Sequence, residues 1–212
     1  MPLRLTVSSA HICIKKRTFA PPPTVDLQPT TALFRSGKVQ QKYTKKMTRI
    51  GLLSDTHGVV SPQVYDFFAS CDQLWHAGDI GPGVLEQLEA FKPVKAVYGN
   101  TDGWDVRDRA PRTQLFTCDG QKVLMTHIGG YPGHYDASIR PLLQSERPNI
   151  FIAGHSHILR VMYDRTLNLL HINPGAAGRE GFHRVCTLVR FVIDGEPKQL
   201  EIKEFPKFPS AT

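Results

Sequence analysis

The stretch Ile50-Gly51-Leu52-Leu53-Ser54-Asp55-Thr56-His57 sets the pattern from which the fold is read. A short apolar run closes on polar, metal-capable side chains, as a buried strand does where it enters a loop. The pattern recurs along the chain. Leu74–Ala77 runs into Gly78-Asp79, Val94–Tyr98 into Gly99-Asn100, and Ile150–Ala153 into Gly154-His155-Ser156-His157, while His127 follows Val123–Met125. In open α/β sheets, ligands gather in the crevice beyond the carboxyl ends of the strands. Five strand ends thus deliver two aspartates, one asparagine and four histidines to one rim, and that set points to a two-metal centre.

Working outward, Arg49–Leu53 is the first strand, and a helix is predicted over Pro62–Ser70, with Ser61 as N-cap and Pro62 at its first position. A second strand is predicted at Gln73–Ala77, a helix at Val84–Phe91 and a third strand at Val94–Tyr98. This βαβαβ run belongs to a parallel sheet with helices outside. The second half changes style. Thr113–Cys118 and Lys122–Thr126 flank Asp119-Gly120 as a hairpin, and a helix is expected at Asp136–Ser145 before strand Ile150–Ala153. Four more strands follow at Arg160–Tyr163, Leu167–Ile172, Val185–Ile193 and Gln199–Phe205, with Asp194-Gly195 as another hairpin turn. The fold class is α/β: two stacked mixed sheets covered by helices.

The 212 residues suit one domain, and the formal charge of +7 needs dividing by position. Residues 1–46 hold nine Lys/Arg and one acid, whereas residues 47–212 hold 17 Lys/Arg against 18 Asp/Glu. The basic balance therefore sits in an N-terminal extension at residues 1–46, read as a disordered tail or as a start placed too early, with Met47 the alternative start and an organelle transit peptide the other option. A near-neutral domain from residue 47 to 212 gives no support to a nucleic-acid partner, which would need a basic groove. No apolar stretch reaches about 18 residues, so no membrane span is expected. Cys13, Cys71, Cys118 and Cys186 lie far apart, which favours reduced thiols and a cytoplasmic location.

Carboxylate, imidazole and amide donors without thiolate suit borderline metals such as manganese, iron, cobalt, nickel or zinc, and manganese is the ion expected here. Asp79 is the expected bridging carboxylate, because its strand should lie beside the first. Two ions about 3.5–4 Å apart can clamp a hydroxide and the oxygens of a phosphoryl group, and metal binding lowers the pKa of water from about 15.7 toward about 7.

These blocks, in this order, resemble those of the calcineurin-like metallophosphoesterases. The D-x-H, G-D, G-N, lone His and G-H-x-H blocks correspond to Asp55/His57, Asp79, Asn100, His127 and His155/His157. Gly99-Asn100-Thr101-Asp102 and Asn173-Pro174-Gly175 are similar to signatures of the compact prokaryotic phosphodiesterase branch. The resemblance implies a four-layer α/β/β/α sandwich. It also implies one metal held by Asp55, His57, Asp79 and His157, and another held by Asp79, Asn100, His127 and His155. His57, Asp79 and Asn100 would take part in catalysis on a small phosphate-ester substrate, and a homodimer is compatible with the family. Many relatives carry a His directly after the Asn as the acid for the leaving group. Here Thr101 stands there, so the acid is unassigned and Asp102 is read as a turn-forming residue.

Other residues have plainer readings. Asp55 and Asp79 taken singly could be helix caps, and His76 and His171 read as packed strand histidines. His134 lies in the glycine-rich loop 129–136, which could overhang the metals, and is carried as a substrate contact. His183 reads as part of a solvated turn, Trp75 as core and Trp104 as rim. The rival function is a non-catalytic protein-interaction scaffold of the same fold, as in a related retromer subunit.

Overall fold

The computed structural model of the protein describes residues 47–208, so the N-terminal extension lies outside the described residues. The first half holds β1 (Thr48–Leu53), α1 (Pro62–Phe68), β2 (Gln73–His76), α2 (Val84–Phe91), β3 (Val94–Ala96) and α3 (Trp104–Arg107). The middle holds β4 (Thr113–Cys118), β5 (Gln121–Thr126), β6 (Gly130–Tyr131), β7 (His134–Tyr135) and α4 (Arg140–Glu146). The end is all strand: β8 (Ile150–Ile152), β9 (Leu159–Asp164), β10 (Leu169–Pro174), β11 (Val185–Ile193) and β12 (Pro197–Pro206).

Ten of these strands form two five-stranded mixed sheets, ordered β12-β11-β1-β2-β3 and β4-β5-β8-β10-β9. Strand alternation sorts the apolar side chains into three cores. Ile50, Leu52 and Trp75 of the first sheet meet Val123, Met125, Ile152 and Ile172 of the second, forming the layer between the sheets. On the far face of the first sheet, Leu53 and Leu74 pack with Val64 and Phe68 of α1 and Leu85 and Leu88 of α2. On the far face of the second, Leu124 and Phe151 pack with Leu143 of α4. The result is the expected α/β/β/α sandwich.

Register decides where the loops emerge. β1, β2 and β3 are parallel, with Leu53 beside His76 and His76 beside Ala96. β5, β8 and β10 are likewise parallel, with Met125 beside Ile152 and Ile152 beside Ile172. Parallel neighbours in step release their carboxyl-end loops at one edge of each sheet. All the loops carrying the motif residues leave from those edges.

Several boundaries differ from the sequence reading. β3 ends at Ala96 rather than Tyr98, because the Tyr98 amide leaves the ladder and donates to the Pro111 carbonyl at 3.1 Å. α4 starts at Arg140 rather than Asp136, because the Asp136 carboxylate captures the Ser138 amide and hydroxyl in a local turn. The hairpin β6–β7 lies in the glycine-rich stretch expected as a loop, and helix α3 lies between the predicted elements; two-residue strands and a four-residue helix leave no periodic signal. The Asp119-Gly120 turn has both residues at positive φ, as a tight hairpin requires.

Candidate dinuclear metal centre

Three loops are zipped together by backbone bonds beyond the ends of the strands. The amides of Asp55, His57 and Gly58 donate to the carbonyls of Gly78, Asp79 and Ile80, and the amides of Ala177 and Gly178 donate to Ser54 and Asp55. From the second sheet, the Gly154 amide donates to the His127 carbonyl at 2.9 Å. Held this way, Asp55, His57, Asp79, His155 and His157 all adopt left-handed φ values between 47° and 67°. Each such non-glycine residue costs about 1–2 kcal/mol, and strain of this kind gathers at functional sites.

Two glycines of the motifs are required by close approach. A Cβ on Gly99 would stand 2.1 Å from Asp79 Oδ1, and one on Gly154 would stand 2.1 Å from Ser54 Oγ and 3.1 Å from Asp55 Oδ2. Asp102, buried as the turn reading expects, accepts the Ile80 and Gly81 amides on Oδ1 and the Gly99 amide on Oδ2. Asn173 donates to the Gly154 carbonyl and to Ser156 Oγ, fixing the loop that carries His155 and His157.

Six of the seven expected ligands converge as two triads: Asp55, His57 and His157, and Asp79, His127 and His155. His157 Nε2 lies 3.1 Å from Asp55 Oδ1 and 3.5 Å from His57 Nε2. His127 Nε2 lies 3.2 Å from Asp79 Oδ2 and 3.9 Å from Asp55 Oδ1. Asp55 therefore neighbours a histidine of each triad. Both its oxygens are buried and receive no backbone or hydroxyl donor, their near polar neighbours being the imidazoles of His157 and His127. A buried carboxylate so placed is costly unless a cation completes it. Separations of 3.1–3.5 Å are those of adjacent ligands around an ion with bonds of roughly 2.0–2.2 Å. The donor set fits a pair of divalent metal ions.

Asn100, the seventh residue, is exposed at the rim and lines a cavity with His127. His134 is exposed on β7 and stacks against Tyr131, with ring centroids 5.0 Å apart. Tyr131 and His155 line a second cavity, but His134 is not among its walls. Thr101 contributes its backbone, the amide donating to Asp79 Oδ1 at 2.9 Å.

Electrostatics follow from this packing. Burial pushes the Asp79 carboxyl up, but the hydrogen bond and charge of His127 and the Thr101 amide outweigh it, holding Asp79 below the usual carboxylate range. Burial pulls His127 down, yet Asp79 and Asp55 raise it above its ordinary value. His76 is a satisfied core histidine. Thr56 Oγ1 donates to the Ile80 carbonyl, so His76 Nε2 donates to Thr56 while its Nδ1 accepts the Gly78 amide, and burial holds it neutral at about 4. His171 is buried against Phe151, and burial lowers it also to about 4. Trp75 is fully buried and Trp104 is 78% exposed, as core and rim.

Two residues near the centre were not singled out as contributors by the sequence reading. Glu180 Oε2 stands 3.6 Å from His57 Nδ1. His183, read as part of a solvated turn, has its Nδ1 3.3 Å from His157 Nδ1 and its Nε2 3.0 Å from the Gly178 carbonyl. Their only sequence signal is their place in the glycine-rich segment after Asn173-Pro174-Gly175.

Two mixed sheets between helix layers, with Asp and His triads at one rim, place the chain among proteins of the metallophosphoesterase fold. The chain belongs to the calcineurin-like phosphoesterase superfamily, whose domain model matches residues 48–196. It is 31% identical over 161 residues to a probable metallophosphoesterase of Methanothermobacter thermautotrophicus, covering 72% of this chain and 90% of that protein. Among solved structures it is similar to an archaeal phosphodiesterase (TM-score 0.58, 22% identity, 74% of this chain and 99% of that one). It is also similar to vacuolar protein sorting 29 of Cryptosporidium parvum (TM-score 0.57, 18% identity, 76% and 99%). No described helix is long and apolar enough to cross a membrane.

Proposed function

We propose that this protein is a dinuclear metal-dependent phosphodiesterase acting on a small phosphate ester. The observation that carries the reading is the Asp55 carboxylate, fully buried, without a backbone or hydroxyl donor and set between histidines of both triads. A scaffold that bound no metal would keep that desolvated charge with no compensating gain. Asp55, His57, Asp79 and His157 would hold one ion and Asp79, Asn100, His127 and His155 the other, with manganese first and iron, nickel, cobalt or zinc as alternatives. Bound there, the ions would polarise phosphoryl oxygens and supply a hydroxide nucleophile near neutral pH.

The chain's own groups set the rest. His127 Nδ1 donates to the Ala77 carbonyl at 2.8 Å, so Nε2 is the nitrogen turned toward Asp79 and the centre. Asn100, exposed beside His127, would orient a phosphoryl oxygen. Thr101 offers no side chain able to protonate a leaving group near neutrality, so diesters with good leaving groups should turn over fastest. His134, on the hairpin beside the second cavity, would contact the departing substituent.

Elemental analysis of manganese-loaded protein, paired with hydrolysis of bis(p-nitrophenyl) phosphate and p-nitrophenyl phosphate under several metals, tests the reading. Two ions per chain and faster diester turnover are expected; one ion or none, or hydrolysis indifferent to metal, would overturn it. Asp79→Asn and Asp55→Asn, compared by metal content, identify the bridge. The bridging residue loses both ions when neutralised, and Asp79 is expected to be that residue.

A further inference from the structure

The second triad opens onto a cavity of ≈ 240 Å³ walled by Asn100, His127, Tyr98, Thr126 and two arginines, Arg107 and Arg112. Three arginines lie between residues 107 and 112, and they are used differently. Arg109 turns away and is paired with Glu86 and Glu89. Among the described residues, neither Arg107 nor Arg112 has a carboxylate within salt-bridge distance. Arg107 is instead oriented by neutral groups: its guanidinium lies 4.9 Å from the centre of the Tyr98 ring and donates to the Asn100 carbonyl at 3.4 Å. The backbone at Arg112 is tied to the rim on both sides. Thr126 Oγ1 donates to its carbonyl at 3.3 Å, and the Tyr98 amide donates to the carbonyl of Pro111.

We infer that this cavity binds a second phosphate group on the substrate, a terminal monoester phosphate attached to the same molecule as the scissile diester. The inference rests on the proposed phosphodiesterase reading. Charge balance is the first reason. Two divalent ions would be matched by two aspartates, a hydroxide and the single charge of a diester, and among the described residues the two guanidinium groups have no carboxylate in contact, Asp136 acting on Arg112 only from farther away. A monoester phosphate near its full charge of about −2 supplies the match. Geometry is the second. A guanidinium presents a planar fork of donors suited to phosphate oxygens, and stacking on Tyr98 holds one fork in place. Size is the third. At ≈ 240 Å³ the cavity has room for a small anion at its Arg107–Arg112 side, next to the Asn100–His127 side that faces the centre, and not for a large substituent.

The experiment compares thymidine 5′-(p-nitrophenyl phosphate) with the same diester carrying a 3′-phosphate, using the full-length manganese-loaded protein. The expected result is a kcat/KM roughly ten-fold or more higher for the 3′-phosphorylated substrate, carried by KM. In Arg107→Gln with Arg112→Gln, checked for unchanged metal content, the ratio between the two substrates should fall toward one. Calorimetric titration of the loaded wild type should show thymidine 3′,5′-bisphosphate binding more tightly than thymidine 5′-phosphate, with the difference shrinking as salt is raised. Equal kcat/KM and equal product binding in the wild type, or a ratio untouched by the double substitution, would overturn the inference alone. Absence of hydrolysis of either diester with any metal would overturn the parent reading and this inference with it.

Discussion

His183 decides which nitrogen His157 offers to the centre. The Gly178 carbonyl can only accept, so His183 Nε2 carries its proton toward it and leaves Nδ1 as an acceptor. His157 Nδ1–H then donates to His183, which frees His157 Nε2 beside Asp55 and His57. Burial keeps His183 below its ordinary value, consistent with a neutral ring. His183→Ala should weaken metal affinity by about 10–100-fold, read by chelator competition, while His183→Asn, which retains an acceptor, should lose less. The Asp79–His127 pair sets a pH dependence in metal-free protein. The depressed Asp79 contributes stability present above its ordinary 3.8 and lost as pH falls through its lower folded value. The raised His127 contributes stability fully present below its ordinary 6.5 and lost as pH rises through its folded value. Thermal melts without metal should therefore show this pair's contribution greatest between about pH 4 and 6.5 and declining on the alkaline side. Manganese should reverse the alkaline trend, because metal competes with the proton on His127.

Among the elements, the loops that follow β2 and β3 are joined by a side chain. The strands' last backbone bond runs from the Val97 amide to the His76 carbonyl, and beyond it Asp102 receives amides from both loops. This keeps Asp79 and Asn100 in a fixed relation while their backbones depart from regular geometry. Asp102→Ala would strand three amides, and the expected loss of unfolding free energy is roughly 2–5 kcal/mol by urea denaturation. Asp102→Asn, with one acceptor oxygen remaining, should fall between. Metal content should drop in both variants, because Gly99 abuts the Asp79 carboxylate.

At the scale of the whole molecule, the hydrogen-bonded sheets run from Thr48 to Pro206 and the family match begins at residue 48. A protein beginning at Met47 is therefore expected to fold, bind two ions and hydrolyse diesters as the full chain does. The first 46 residues hold nine Lys/Arg and one acid, so any weak, salt-sensitive nucleic-acid binding by the full chain should vanish with them. Filter binding at low and moderate salt, beside metal analysis of the shorter protein, checks both statements. A shorter protein that is insoluble or metal-free would place the boundary elsewhere.

The fold class and the candidate ligands are legible in the sequence because both are written locally. An apolar run followed by Asp, Asn or His is a statement about neighbouring residues, and five such runs suffice to place their ends on one rim. Residue spacing alone does not say which candidate ligands share a triad; the family resemblance implied the grouping, and the folded chain brings Asp55, His57 and His157 together and Asp79, His127 and His155 together. His57 and His157 are 100 positions apart, and their nitrogens meet because strands from two different sheets end at the same edge. The roles of His183 and Glu180, and the cavity holding Arg107 and Arg112, were equally out of reach. Tautomer, approach and facing direction depend on what the rest of the chain folds against each side chain, and no periodicity along the sequence encodes that.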